Sequence, residues 1–88
     1  MDYLLFTYPN CSKCKTLKSY LRSIDWGGQE YSLVQKESKM KIREFLGVLK
    51  RDDKGTIIIP TLILHERGEV AAVLNSEKEL SEWLKSRE

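Results

Sequence analysis

The amino-acid sequence predicts an α/β domain built on a mixed four-stranded sheet. Apolar runs and helical patterns alternate along its 88 residues in the order β-α-β-α-β-β-α. The first β-α-β unit requires a parallel pair of strands, whereas the last two strands, joined by a short turn, require an antiparallel hairpin. The first and third helices cannot bury their apolar stripes against each other and against the same sheet face at once. We therefore expect helices on both faces of the sheet.

The first half of the chain carries two predicted strands and two predicted helices. Residues 3–7 form an apolar, aromatic run that is typical of a buried strand. Asn10 is the predicted N-cap of a helix whose apolar residues recur at helical spacing, and the glycines at 27–28 are predicted to end that helix. A second strand is expected at residues 31–34, followed by a second helix that begins near Ser38.

The second half of the chain carries two strands and the last helix. Residues 57–64 are its most hydrophobic run. Because proline has no N–H to donate to a sheet, the third strand must begin at or just after Pro60. Residues 66–69 form the predicted turn into a fourth strand at 70–74. The sequence Ser-Glu-Lys-Glu at 76–79 matches a capping box, which predicts the start of the last helix.

Composition and charge argue against several classes of protein. Hydrophobic residues make up 41% of the chain and charged residues 32%, which is ordinary for a globular domain. The net charge of +2 is too small to indicate a nucleic-acid partner. We also expect no membrane partner, because no run approaches the roughly 18 apolar residues that cross a bilayer. With no signal-peptide pattern at its start, the chain is expected to be a monomeric single domain (residues 1–88) in the reducing cytoplasm.

The two cysteines of the chain, Cys11 and Cys14, stand three residues apart at the start of the first predicted helix. Thiols at this spacing are neighbours on a helix and can close a disulfide within one turn. As a structural brace such a short ring would contribute only about 2 kcal/mol, and it would tie together residues that the helix already holds. The pair is therefore interpreted as a reversible dithiol.

Thiol–disulfide exchange needs a thiolate that attacks a disulfide, and the two sulfurs are predicted to differ in this respect. Cys11 lies where a helix N-terminus presents free N–H groups and a partial positive charge, and Lys13 and Lys15 add nearby cations. These effects favour the thiolate, so we predict Cys11 as the exposed nucleophile. Cys14 lies on the apolar stripe of the helix, where burial favours the neutral thiol, and is the predicted resolving cysteine.

The element order, the Cys-x-x-Cys motif at the first helix and the step Ile59-Pro60-Thr61 into the third strand resemble the thioredoxin fold. Within it, the short chain resembles the glutaredoxins and glutaredoxin-like proteins over nearly its whole length. The resemblance implies a small thiol–disulfide oxidoreductase with a cis peptide bond before Pro60 that faces the dithiol. It further implies that the backbone N–H and C=O of Ile59 pair with an extended substrate peptide or with glutathione.

The predicted site combines both lines of argument. Cys11 and Cys14 are the predicted catalytic residues, and no metal ligand or resident cofactor is expected. The predicted substrate-binding residues are Tyr8, Pro9, Ser12, Lys13, Ile59, Pro60 and Thr61. Two positions depart from the glutaredoxin pattern: Tyr8 stands where a basic residue is usual, and alanines at 71–72 stand where glycines let a ligand approach closely. We therefore expect weak use of glutathione as a reductant.

The expected partners are disulfide-containing protein substrates and a thiol reductant or a reductase. One alternative is a non-catalytic module of the same fold that senses redox state or binds a partner. Another follows from the tyrosine and cysteine spacing, which is similar to that of arsenate-reductase-like regulators that contact RNA polymerase, although those proteins are longer. A third is a metal or iron–sulfur site, for which one Cys-x-x-Cys supplies two of the usual four ligands, so that a dimer would be needed.

Overall fold

Four strands and three helices follow one another in the predicted order in a computed structural model that describes residues 1–87. The strands are β1 (Asp2–Thr7), β2 (Gly27–Ser32), β3 (Thr61–Glu66) and β4 (Glu69–Leu74). The helices are α1 (Ser12–Arg22), α2 (Lys36–Ile42), which continues into a 3-10 turn at Arg43–Phe45, and α3 (Glu77–Ser86). The α/β class and the number of strands and helices are confirmed.

The strands form one mixed sheet in the order β2-β1-β3-β4. β1 and β2 are parallel, as a β-α-β unit requires, whereas β3 runs antiparallel to both β1 and β4. β1 and β3 occupy the centre of the sheet, and Leu62, Ile63 and Leu64 of β3 are fully buried. Because β1 and β3 are antiparallel, the carboxyl end of β1 lies beside the amino end of β3. The candidate site lies at this end of the two strands.

Buried side chains form two separate clusters. Neighbouring residues of β1 enter different clusters, Leu5 the first and Phe6 the second, because side chains alternate along a strand. Leu17 of α1 and Leu80 of α3 both belong to the first cluster, and Ile42 of α2 belongs to the second. Because this cluster also contains Leu62 and Leu64 of β3, the argument that α1 and α3 cannot pack against each other and the same sheet face is wrong. Four strands span about 15–20 Å, which is wide enough for two helices of about 10 Å side by side.

Two boundaries in the first half of the chain differ from the prediction. The glycine pair does not end α1 but begins β2, which starts at Gly27 and ends at Ser32. Gly28 lies against the ring of Tyr3, and a Cβ at that position would clash with the ring. α2 begins after Gln35, whereas Ser38 is buried inside the helix instead of capping it. A contact with Tyr3, which the local pattern around the glycines does not contain, thus places Gly28 in a strand.

The boundaries in the second half follow the prediction closely. β3 begins at Thr61, directly after the proline that cannot join the ladder. The hairpin turn places Arg67 and Gly68 at φ 56° and 82°, the left-handed conformation that tight hairpins use. Ser76 caps α3 by accepting a hydrogen bond from the N–H of Glu79 at 3.1 Å. Within residues 1–87, none of the helices has the length and apolar character needed to cross a bilayer.

A candidate dithiol site

The start of α1 is built differently from the prediction, and the difference puts a sulfur at the helix end. Asn10, the predicted N-cap, has φ 59° and lies in the left-handed region that asparagine tolerates. Cys11 is the N-cap instead, with extended backbone, and its Sγ accepts a hydrogen bond from the N–H of Cys14 at 3.2 Å. A thiol sulfur thus has the role that a serine or aspartate oxygen has in most helices.

No acidic residue lies in the first turn of α1. The partial positive charge of the helix end is therefore not compensated by a side chain of that turn. Lys13 and Lys15 are both exposed there and add to the positive field. Cys11, which is partly exposed, is the group on which this field acts. The arrangement agrees with the predicted role of Cys11 as the accessible nucleophile, which stays a prediction.

Cys14 lies one turn into α1 with only 2% of its surface exposed, beside Leu17 and Leu21 on the buried face. Burial is the main cause that raises the pKa of the Cys14 thiol from 9.0 to about 11. The hydrogen bond to the Cys11 side chain raises this pKa further, whereas a hydrogen bond to the backbone of Tyr8 lowers it. The burial and the raised pKa of Cys14 agree with its predicted preference for the neutral thiol, which stays a prediction, and both cysteines are free.

The two sulfurs border one cavity of about 190 Å³, whose lining includes Tyr8 and Pro9. The structure thus brings these two predicted binding residues together with the cysteines. Ser12 and Lys13, also predicted to bind substrate, line a separate depression of about 230 Å³ that is closed by the start of α3. That depression does not include either cysteine in its lining.

The far wall of the dithiol cavity carries an ion pair that sequence reasoning missed. Glu30 of β2 accepts a hydrogen bond from Thr7 Oγ1 at 2.8 Å and pairs with Lys18 Nζ at 3.1 Å. All three residues line or border the cavity, and the charge of Glu30 contributes to the raised pKa of Cys14. No local signal identifies them, because Glu30 meets Thr7 only through the register of β2 beside β1.

The peptide bond between Ile59 and Pro60 is cis, as the resemblance implies. Thr61 pairs with Phe6 near the carboxyl end of β1. The cis bond therefore lies at the same end of the sheet as the segment that leads from β1 to Cys11. Pro60 and Thr61 are fully buried, so their side chains are not available to a substrate. Ile59 is partly exposed, and its N–H and C=O make no hydrogen bond with residues 1–87. The N–H and C=O of Ile59 are therefore backbone groups of this loop that remain free to pair with a substrate.

Tyr8 and Ile59 together border a second, larger groove of about 450 Å³. Its floor is apolar, and its cationic lining residues are Lys39, Arg43 and Arg51. Because Tyr8 also lines the dithiol cavity, the tyrosine separates the two. Tyr8 is about half exposed (49%), so its ring is accessible from outside.

The alanines at 71–72 lie away from the cysteines. Ala71 lines a depression beside the β3–β4 turn, and Ala72 packs against the first core cluster. Neither residue lines the dithiol cavity or the neighbouring groove. The expectation that these alanines restrict glutathione therefore has no support in the fold, and only Tyr8 remains as an argument for weak use of glutathione.

In the part of the chain that the structure describes, no cluster of three or more His, Cys, Asp or Glu side chains is arranged to hold a metal ion. No protein-family model and no curated protein matches this chain.

Proposed function

We propose that this protein is a small thiol–disulfide oxidoreductase that reduces disulfides in protein or low-molecular-weight substrates. The observation that carries the proposal is the unlike pair of thiols three residues apart. Cys11 is partly exposed at a positive helix end, whereas Cys14 is buried with its pKa raised to about 11. One accessible and one protected thiol are what a two-step exchange requires.

The architecture of residues 1–87 supports a thioredoxin-type, glutaredoxin-like fold for the domain. The two core clusters draw on alternate residues of β1, which supports helices on both faces, with α1 and α3 on one side and α2 on the other. The strand order β2-β1-β3-β4 and the cis bond directly before β3 agree with the same arrangement. Two free thiols in a small single domain suit a reducing cytoplasm.

In the first step, the Cys11 thiolate attacks one sulfur of the substrate disulfide. The substrate S–S bond breaks as a bond between Cys11 Sγ and the substrate sulfur forms. The other substrate sulfur leaves as a thiolate and takes a proton from solvent. An extended substrate peptide would pair with the free N–H and C=O of Ile59, while Tyr8 borders the reacting sulfurs.

In the second step, Cys14 loses its proton to solvent and attacks Cys11 Sγ in the mixed disulfide. The second substrate sulfur leaves as a thiol, and a Cys11–Cys14 disulfide remains, so that two electrons have passed to the substrate. An external thiol or a reductase then returns the pair to the dithiol. Because the pKa of Cys14 is raised to about 11, this second step is expected to be slow at neutral pH.

The high pKa of Cys14 favours one further candidate, a redox-sensing module of the same fold. If Cys14 attacks slowly, the mixed disulfide on Cys11 is long-lived. A long-lived mixed disulfide is more useful to a redox sensor than to an enzyme that must turn over rapidly. The two candidates differ in a measurable quantity, the rate at which protein disulfides are reduced under steady supply of electrons.

The test is insulin reduction, with electrons supplied either by glutathione and its reductase or by thioredoxin reductase. We expect turnover with at least one source, and the weaker rate with glutathione. Cys11→Ser should lower the rate at least 100-fold, and Cys14→Ser should accumulate a mixed disulfide on Cys11. A matched control is Cys11→Ser combined with Ser19→Cys, which restores the number of thiols at an exposed position farther along α1 and should not restore turnover.

Absence of turnover with both electron sources would contradict the enzymatic proposal. If the cysteines nevertheless oxidise readily in that protein, the redox-sensing module becomes the better account. Turnover that survives Cys11→Ser would exclude both candidates.

A further inference from the structure

Asn75 lies between β4 and α3 with 8% of its surface exposed. Its Nδ2 donates to the carbonyl oxygens of Ile58 and Pro60, both at 3.0 Å, and contacts Thr61 Oγ1 at 3.3 Å. Its Oδ1 is buried and has no partner within the described chain. A buried acceptor without a partner is unfavourable by about 1–3 kcal/mol. The orientation of this amide is therefore set by the loop that it holds.

The bonds of Asn75 fall on both sides of Ile59. The carbonyls before and after it, those of Ile58 and Pro60, are held by the asparagine amide. Thr61 Oγ1 donates a second bond to the Ile58 carbonyl at 2.6 Å. The N–H and C=O of Ile59 itself make no bond with residues 1–87. The loop is thus fixed from inside, while the polar groups of one residue are left for an outside partner.

Asn75 is itself held in place by a closed ring of contacts. Its backbone N–H donates to Glu79 Oε2 at 2.5 Å, and Glu79 Oε1 pairs with Lys50 Nζ at 3.2 Å. The carbonyl of Lys50 accepts a hydrogen bond from the N–H of Ile58 at 3.1 Å, which returns the ring to the loop. In the capping box the glutamate side chain therefore reaches Asn75 and not the N-cap serine. This departure connects the start of α3 to the residues before the cis bond.

We propose that Asn75 is a positioning residue that holds the loop so that the backbone of Ile59 can pair with an extended peptide beside Cys11. The inference rests on the proposed function and names its substrate class, which is a disulfide flanked by peptide groups. A small disulfide without amide groups gains nothing from this loop. A loop already held in the binding conformation loses less entropy on binding, so the effect falls on substrate binding and not on the chemistry of the sulfurs.

The experiment compares two disulfides in steady-state kinetics. One is a linear peptide pair joined by a single disulfide, with amides on both sides of each half-cystine, and the other is bis(2-hydroxyethyl) disulfide. Asn75→Ala and Asn75→Asp should raise KM for the peptide at least about tenfold with kcat within twofold. The rate with the hydroxyethyl disulfide and the rate of Cys11 alkylation by iodoacetamide should stay within twofold.

Two further variants separate positioning from loss of stability. Ser76→Ala removes the cap of α3 but no bond to the loop. It should lower the thermal stability about as much as the Asn75 substitutions do, but leave KM for the peptide unchanged. Thr61→Val is nearly isosteric and removes the hydroxyl bond to Ile58 together with the contact of that hydroxyl with Asn75 Nδ2, so it should raise KM for the peptide several-fold in a folded protein. It provides the same test if the asparagine variants do not fold.

An unchanged KM for the peptide in the Asn75 and Thr61 variants, or an equal loss of rate with both disulfides, would overturn the positioning role and leave the oxidoreductase proposal standing. A wild-type protein that reduces neither disulfide would overturn both proposals. A peptide KM that rises in Ser76→Ala as much as in Asn75→Ala would show that the effect is only structural, and would also overturn the role.

Discussion

The N-termini of α1 and α3 use the same backbone geometry with opposite chemistry. Both have an extended N-cap residue whose side chain accepts from the N–H three residues later. At α3 the acceptor is the Ser76 hydroxyl, and Glu77 and Glu79 stand in the first turn. At α1 the acceptor is the sulfur of Cys11, and no acidic residue stands in the first turn.

The two helix ends differ in whether side chains of the first turn compensate the partial positive charge. Carboxylates near a helix N-terminus compensate its partial positive charge, and the start of α3 is completed in this way. At α1 the positive end acts on a sulfur that can carry a negative charge, beside the exposed side chain of Lys13. Under the proposed function, the capping pattern that stabilises α3 serves at α1 to hold the sulfur that attacks the substrate.

The largest effect is expected for Cys14, which lies inside the first turn of α1 and is protected by burial. Because its pKa is raised, the neutral thiol persists at neutral pH, and its ionised fraction rises about tenfold per pH unit from pH 7 towards 10. In Cys11→Ser, where serine keeps α1 capped, thiolate absorbance at 240 nm should appear only above about pH 9. The midpoint should lie somewhat below 11, because the contribution of the Cys11 thiol is lost.

The double variant Cys11→Ser, Cys14→Ser gives the tyrosine background that is subtracted in that titration. A thiolate that forms with a midpoint below pH 8 would contradict the protected state of Cys14. Both sulfurs of α1 would then be reactive at neutral pH, and neither would be a protected resolving thiol.

A smaller effect is expected when the charges of the two helix ends are exchanged. Lys13→Glu places a carboxylate in the first turn of α1 and should slow Cys11 alkylation at pH 7 about two- to fivefold, the size of a helix-end charge effect. Glu77→Lys makes the opposite change at α3. It should leave the rate of Cys11 alkylation unchanged within experimental error and lower the thermal stability slightly. If Glu77→Lys speeds alkylation as much as Lys13→Glu slows it, the net charge of the protein and not the end of α1 governs the reaction of Cys11.

The parts of the fold that sequence predicted rest on chemistry contained in a few neighbouring residues. Pro60 has no N–H for the sheet, so the start of β3 follows directly. The capping-box residues Ser76 and Glu79 likewise predict the start of α3. The place of Cys14 on the apolar stripe of α1, one turn after Cys11, likewise predicts one buried thiol and one more accessible thiol.

The parts that sequence missed depend on residues distant along the chain. Gly28 belongs to a strand because the Tyr3 ring lies on it, and no pattern around residue 28 contains that ring. The ion pair of Glu30 with Lys18 needs the register of β2 beside β1. Asn75 follows the same rule, since its partners belong to a loop 14 to 17 residues earlier in the chain.

The most direct test of the central claim is site-resolved alkylation of the reduced native protein at pH 7. Less than one equivalent of iodoacetamide is added, and the modified peptides are quantified by mass spectrometry. The account predicts carbamidomethylation of Cys11 with Cys14 modified to about 1% of that extent or less, and comparable labelling of both once the protein is denatured. Equal labelling of the two cysteines in the native protein, or labelling of Cys14 first, would contradict it.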